Sequence, residues 1–270
     1  MLDWQAACDS HLRAFVTRSR SGLLTDVDGT ISPVVLHADN AQVTDRSREL
    51  LANLSGCLTL VGVISGRSAA DIAQRVGVPG LVYVGNHGLE RWVDGKVQPD
   101  PSSIVYRPQV QVAKQQIESH LRPGMWIEDK QVTLSVHYRQ AAEPDSIARE
   151  LTPFIQQIAA SLGLRFFEGR RIFEIRPPID VDKGTAFHHL IDEYQLEAAI
   201  YIGDDITDTD AFRVARSLRE SGECYSLGVG VESEVTPELV IETSDLSASG
   251  ISGVESLLAW LLRACKESST

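Results

Sequence analysis

Short apolar runs recur along this chain at residues 23–25, 58–64, 81–84, 198–202 and 225–231, and stretches with helical periodicity lie between them. Within each run the apolarity is continuous rather than alternating, the pattern of strands buried on both faces. Such strands separated by helices specify an α/β fold, a parallel sheet covered on both sides. Two helix starts are marked by capping residues: residues 44–54 with Thr44 as N-cap, and residues 68–76 with Ser68 capping.

Residues 109–176 read differently. The order there is helix (110–121), strand (125–128), strand (132–138), helix (144–161), strand (164–168), strand (172–175). Two strands after each helix, joined by short connections such as Asp129-Lys130 and Gly169-Arg170, predict hairpins and an antiparallel sheet. The sequence therefore predicts an α+β domain (108–177) inserted into an α/β core (1–107 and 178–270). Tyr106-Arg107-Pro108 and Arg176-Pro177-Pro178 are the expected hinges, because proline stiffens the chain and restricts the residue before it. The segments 4–17 and 254–264 carry helical apolar spacing and no recognisable chemistry, which predicts core packing.

Charge narrows the partners. A net charge of −12 and a pI near 5.0 disfavour nucleic acid or an anionic membrane as partner, since either surface would repel the chain. Cys8, Cys57, Cys224 and Cys265 are far apart and form no C-x-x-C pair, which suits small buried hydrophobes in a reducing compartment. No stretch approaches the ~20 apolar residues of a membrane span, and the opening lacks a signal-peptide pattern. The expectation is a cytoplasmic monomer.

Chemistry enters at the ends of the apolar runs. In Leu24-Thr25-Asp26-Val27-Asp28-Gly29-Thr30, carboxylates at i and i+2 leave a buried strand pointing the same way, and ligands bind at the carboxyl ends of parallel strands. One such acid can attack phosphorus while the other, protonated, donates to a leaving oxygen. By itself this segment is also an Asp-rich turn. Ile202-Gly203-Asp204-Asp205-Ile206-Thr207-Asp208 ends another run, and oxygen ligands from separate strand ends suit a hard ion such as Mg²⁺. Ser65-Gly66-Arg67 follows a strand and opens a helix, so hydroxyl and backbone N–H groups there could hold phosphate oxygens. Asp182-Lys183-Gly184 opens another helix, where Lys183 can neutralise a carboxylate and a phosphoryl group together. Singly, Ser65 reads as a cap and Lys183 as a surface lysine. Their order along the chain favours a common site.

The order D-x-D-G-T, S-G-R, D-K-G and G-D-D-x-T-D resembles the signature motifs of haloacid dehalogenase-like phosphatases, with a Rossmann-like parallel sheet. The stretches Gly85-Asn86-His87-Gly88-Leu89-Glu90, Glu128-Asp129-Lys130, Val136-His137-Tyr138-Arg139 and 169–177 extend the resemblance to the trehalose-6-phosphate phosphatase family. The chain departs from that pattern at Thr209, where Glu is frequent.

The resemblance implies that Asp26 is the nucleophile, Asp28 the acid and base, and Thr30, Ser65, Gly66, Arg67 and Lys183 the phosphate-binding set. It also implies Mg²⁺ held by Asp26, Asp28 through its backbone carbonyl, and Asp204, with Asp205 and Asp208 as outer or additional ligands. His87, Glu128, Lys130, Arg139 and Glu174 would bind the sugar, the insert acting as a cap. The implied activity is hydrolysis of trehalose 6-phosphate, with a functional link to a trehalose-phosphate synthase. Sucrose phosphate, a glucosyl- or mannosyl-glycerate phosphate, and sugar-phosphate mutase chemistry are the competing readings.

Overall fold

In the computed structural model, which describes residues 2–35, 41–169 and 171–268, every apolar run read in the sequence is a strand. They are β2 (Ser21–Thr25), β3 (Leu60–Ile64), β4 (Val82–Gly85), β11 (Ala198–Gly203) and β12 (Tyr225–Glu232). The remaining strands of the same sheet are β1 (Leu2–Asp3), β5 (Glu90–Val93), β6 (Lys96–Pro99) and β13 (Leu246–Ser249). The sheet runs β1-β13-β12-β11-β2-β3-β4-β5-β6, parallel from β1 to β4, with β5 antiparallel to β4.

Both faces of this sheet are buried, which is why the strands read as continuous runs. Leu23, Val61, Val63, Ile200 and Ile202 point to one layer with Leu50, Leu51, Leu257 and Leu261 of the helices Asp45–Leu54 and Gly250–Ser268. Their neighbours Leu24, Leu60, Ile64, Ala199 and Tyr201 point to the other, with Phe187, Leu190, Phe212 and Ala215 of the helices Lys183–Glu193 and Thr209–Ser221. Thr44 caps its helix by accepting from the Ser47 N–H at 3.0 Å, and Ser68 accepts from Asp71 N–H at 3.3 Å.

Among the described residues, four strands of this unit lie outside the sequence reading. β1 has two residues and β13 only the weakly apolar Leu-Ser-Ala-Ser, too little for periodicity to mark. The β5–β6 hairpin turns on Asp94-Gly95, both at positive φ, a turn signal legible in the sequence. Residues 4–17 are not one α-helix but a 3-10 turn, a π-type turn and a short α turn, with Trp4, Leu12 and Phe15 buried in the core. Of the cysteines, Cys224 and Cys265 are buried, whereas Cys57 is exposed and Cys8 half-buried.

The chain divides into two compact units, Met1–Gln98 with Val181–Thr270, and Pro99–Asp180. The smaller unit holds a second sheet of β7 (Trp126–Asp129), β8 (Leu134–His137), β9 (Arg165–Gly169) and β10 (Ile172–Arg176), ordered β7-β8-β10-β9 and antiparallel throughout. Arg170, in the expected β9–β10 connection, lies outside the described residues. The helices Arg107–Glu118 and Pro144–Ser161 cover one face, packing Val110, Ile117, Leu151 and Ile155 against Leu134, Val136, Phe173 and Ile175. Tyr106-Arg107-Pro108 is not an extended hinge. Pro108 sits in the first helical turn, where its missing N–H leaves no bond unmade, and Tyr106 packs on the smaller unit's core. Among the described residues no helix is long and apolar enough to cross a membrane.

Candidate active site

β2 lies between β11 and β3, and all three run in the same direction. Their carboxyl ends therefore open on one edge. The pairing continues past the strand: Asp26 N–H donates to the Ile202 carbonyl at 2.8 Å, which brings the Asp26 segment beside Asp204. Gly29 turns the chain there with φ +83°, and a Cβ at that position would meet the Asp204 carboxylate at 2.0 Å. Thr30 Oγ1 donates to Asp204 Oδ1 at 3.1 Å.

Lys183, at the start of its helix, is buried, and its ammonium lies 3.2 Å from Asp26 Oδ1 and 2.6 Å from Asp208 Oδ1. The helix start is fixed by Asp182, whose carboxylate accepts the Thr185 N–H at 2.7 Å while Thr185 Oγ1 accepts the Asp182 N–H at 2.8 Å. Asp208 accepts four hydrogen bonds. Lys183 and the Tyr201 hydroxyl (2.7 Å) reach Oδ1; the N–H groups of Asp204 and Asp205 reach Oδ2 at 3.1 and 3.0 Å. A carboxylate has about four lone-pair sites, so in this arrangement Asp208 holds protein groups in place.

Carboxylate oxygens of Asp26, Asp204 and Asp208 lie within 4.8 Å of one another. Asp26 Oδ1 is buried without a hydrogen bond, its contact with Lys183 being an ion pair. Burial, reinforced by the charges of Asp208 and Asp28 against the pull of Lys183, pushes Asp26 up to about 7. Burial with the charges of Asp26 and Asp208 pushes Asp204 up to about 8. Burial opposes the Lys183 charge, but Asp208 and Asp26 outweigh it and hold its pKa above the ordinary lysine value. This all-oxygen donor set, crowded and short of positive charge, fits a hard divalent cation. Asp28 and the exposed Asp205 lie outside that carboxylate cluster.

The Asp28 carboxylate is instead gripped by Arg67, with Nε to Oδ2 at 2.5 Å and Nη2 to Oδ1 at 2.8 Å, while Nη1 donates to Asp71 at 2.9 Å. Ser65 and Gly66 precede Arg67 at the end of β3. Asn86 and His87, both in the left-handed region at φ +52° and +58°, brace that loop: Asn86 N–H donates to the Arg67 carbonyl at 2.7 Å and His87 N–H to the Ser65 carbonyl at 3.0 Å. The His87 ring lies so close that a Cβ on Gly66 would meet it at 2.6 Å. His87 thus belongs with the Ser65-Gly66-Arg67 loop in the larger unit.

Glu128, Lys130, Arg139 and Glu174 lie in the smaller unit. Glu128 pairs with Ser135, and Ser135 with Glu174, so this row shares the sheet face away from the helices. Lys130 is buried with its ammonium 3.9 Å from Glu128 Oε2. Trp126, His137 and Arg176 join the same face and were not singled out in the sequence, although strand alternation puts them in phase with Glu128 and Glu174. Arg176 Nε donates to Glu174 at 3.1 Å, and its guanidinium stacks over Phe167 at 4.6 Å. Tyr201 was also missed; the signal is one hydroxyl-bearing ring in an otherwise aliphatic buried strand.

The family model for trehalose-phosphatase matches residues 24–241. The chain belongs to the trehalose-phosphatase family. Relatives of this member of the family include the trehalose-phosphate phosphatase of Mycobacterium marinum (strain ATCC BAA-535 / M), 36% identical over 73% of this chain and 52% of that protein, and that of Mycobacterium leprae (strain TN), 34% identical over 77% and 50%. The chain spans about half the length of these relatives. The trehalose-6-phosphate phosphatase C-terminal domain of C. albicans shares the fold, with TM-score 0.76, 21% identity and coverage of 95% of this chain and 96% of that one. A haloacid dehalogenase-like hydrolase from Bacteroides thetaiotaomicron shares it at TM-score 0.62 and 15% identity, covering 89% and 99%. The fold shared with both structures is an α/β core with a parallel sheet and an inserted α+β unit.

Proposed function

We propose that this trehalose-phosphatase family member hydrolyses trehalose 6-phosphate to trehalose and phosphate, with Asp26 as nucleophile. The observation that carries the reading is the buried Lys183 ammonium, 3.2 Å from Asp26 Oδ1 and anchored on Asp208. It supplies positive charge where a phosphoryl group would meet the nucleophile, and phosphoryl transfer depends chiefly on positioning and charge neutralisation.

An Asp26 carboxylate oxygen attacks phosphorus, the bond from phosphorus to the sugar oxygen breaks, and Asp28 gives that oxygen a proton. Asp28 then takes a proton from the water that cleaves the aspartyl-phosphate. Arg67 orients Asp28 through its two-toothed contact, and Ser65, Gly66 and Thr30 complete the phosphate cradle. Asp26, Asp204 and the backbone carbonyl of Asp28 would hold Mg²⁺, which when bound offsets charge on the phosphoryl oxygens. Asp205 would serve as an outer ligand, and Asp208 secures Lys183. The face bearing Glu128, Lys130, Arg139 and Glu174 offers both acceptors and donors for sugar hydroxyls, chemistry that discriminates strongly against analogues lacking them. This activity links the chain functionally to the synthase step that supplies trehalose 6-phosphate.

The test is phosphate release from trehalose 6-phosphate and glucose 6-phosphate, with and without Mg²⁺. Mg²⁺-dependent release, faster from the disaccharide, is expected; none from trehalose 6-phosphate with Mg²⁺ present would sink the proposal. Sucrose phosphate and the glycosyl-glycerate phosphates, run under the same protocol, rank the alternatives by kcat/KM.

A further inference from the structure

The smaller unit contains a buried histidine that the roles above leave unused. His137 of β8 is 6% exposed and lies on the same sheet face as Glu128 and Glu174. Its ring stacks on Trp126, centroids 4.5 Å apart and planes 11° from parallel. Both ring nitrogens meet charged neighbours: Nδ1 lies 3.3 Å from Arg139 Nη2, and Nε2 lies 3.0 Å from Glu128 Oε2.

These two contacts determine the tautomer. Arginine carries donors and no acceptor, so Nδ1 must present its lone pair to Arg139; the ring hydrogen then sits on Nε2 and is donated to Glu128. The result is a directed chain, Arg139 to His137 to Glu128, on a ring that Trp126 prevents from turning. Glu128 is 40% exposed at its side chain; the His137 donor at 3.0 Å, with the Lys130 ammonium 3.9 Å from the same oxygen, narrows the rotamers that carboxylate samples.

We propose that His137 is a positioning residue that sets sugar selectivity by aiming the Glu128 carboxylate. This rests on the reading of Glu128 as an acceptor of sugar hydroxyls. A fixed acceptor spares the loss of side-chain freedom on binding, so its contribution falls on recognition of the polyol and not on chemistry at phosphorus.

The experiment compares trehalose 6-phosphate with p-nitrophenyl phosphate, an ester without a sugar, in wild type, His137→Phe and His137→Gln. Phe keeps the stack on Trp126 and removes both ring nitrogens. His137→Phe is expected to lower kcat/KM for trehalose 6-phosphate about tenfold, mainly through KM, because a hydrogen bond to a charged group is lost. Its parameters for p-nitrophenyl phosphate stay within about twofold of wild type. Gln, whose amide can donate to Glu128 and accept from Arg139, recovers part of the loss, and it carries the test if the Phe variant does not fold. Equal losses on both esters would assign His137 to folding alone and overturn the proposal, as would unchanged kinetics on trehalose 6-phosphate. A wild-type protein active on the aryl ester and inert toward trehalose 6-phosphate would overturn the substrate reading itself, and this assignment with it, before any variant is made.

Discussion

Replacing Gly29 by alanine separates the geometry of the site from the stability of the fold. An alanine Cβ would stand 2.0 Å from Asp204 Oδ2 and 2.4 Å from its Cγ. Non-bonded carbon needs some 3.5 Å, so the carboxylate must retreat by about 1 Å or more. It ends a short side chain, so it can yield without unfolding the sheet, but it then leaves the cluster with Asp26. A displacement of that size near reacting groups lowers rate by about 10²-fold. Gly29 is also at φ +83°, where alanine costs about 1–2 kcal/mol, partly offset by the reduced freedom of the unfolded chain, about 0.4–1 kcal/mol. The net loss of about 1 kcal/mol lowers Tm by about 2–4 °C. Gly80 is the matched control, since it has the same φ of +83° and a Cβ added there would meet nothing within 4 Å. Both variants should lose similar Tm, and only Gly29→Ala should lose kcat/KM for phosphate release. A Gly29→Ala enzyme within about threefold of wild type would refute the claim that Asp204 must stand where it does.

Asp26→Asn should abolish turnover and leave the melting transition intact; normal phosphate release by that variant would refute the covalent mechanism. Arg67→Lys removes the fork that grips Asp28, so kcat should fall by about tenfold or more with KM little changed; an unchanged kcat would show that Asp28 does not depend on Arg67. Stability should depend on pH in an unusual sense. Asp26 and Asp204 are raised to about 7 and about 8, so between their ordinary values near 3.8 and these values the folded state binds more protons than the unfolded. Stability is therefore lost as pH rises through that window. In EDTA, Tm should fall from pH 5 to 8, Mg²⁺ should flatten the fall, and Asp204→Asn should reduce it; a Tm that rises with pH in EDTA would contradict the crowding of these carboxylates.

The parallel core was legible because strands buried on both faces must be apolar at consecutive positions, and Leu23 with Leu24 or Ala199 with Ile200 show it. The insert was legible because hairpins repeat after helices. Its start was harder to read, since a proline such as Pro108 marks either a hinge or a first helical turn, and burial of Tyr106 decides between them. Candidate site residues of the larger unit could be proposed from the sequence because acids and a lysine recur at strand and helix ends. Their partnerships could not.

Local sequence determines which residues leave a strand or open a helix, because those patterns depend on near neighbours in the chain. That Lys183 bridges Asp26 and Asp208, that Arg67 grips Asp28, that Tyr201 secures Asp208 and that His137 joins Arg139 to Glu128 depends on strand order and register. Those contacts span as many as 157 residues of chain, from Asp26 to Lys183, and only the folded backbone brings such groups within the few ångströms over which hydrogen bonds act.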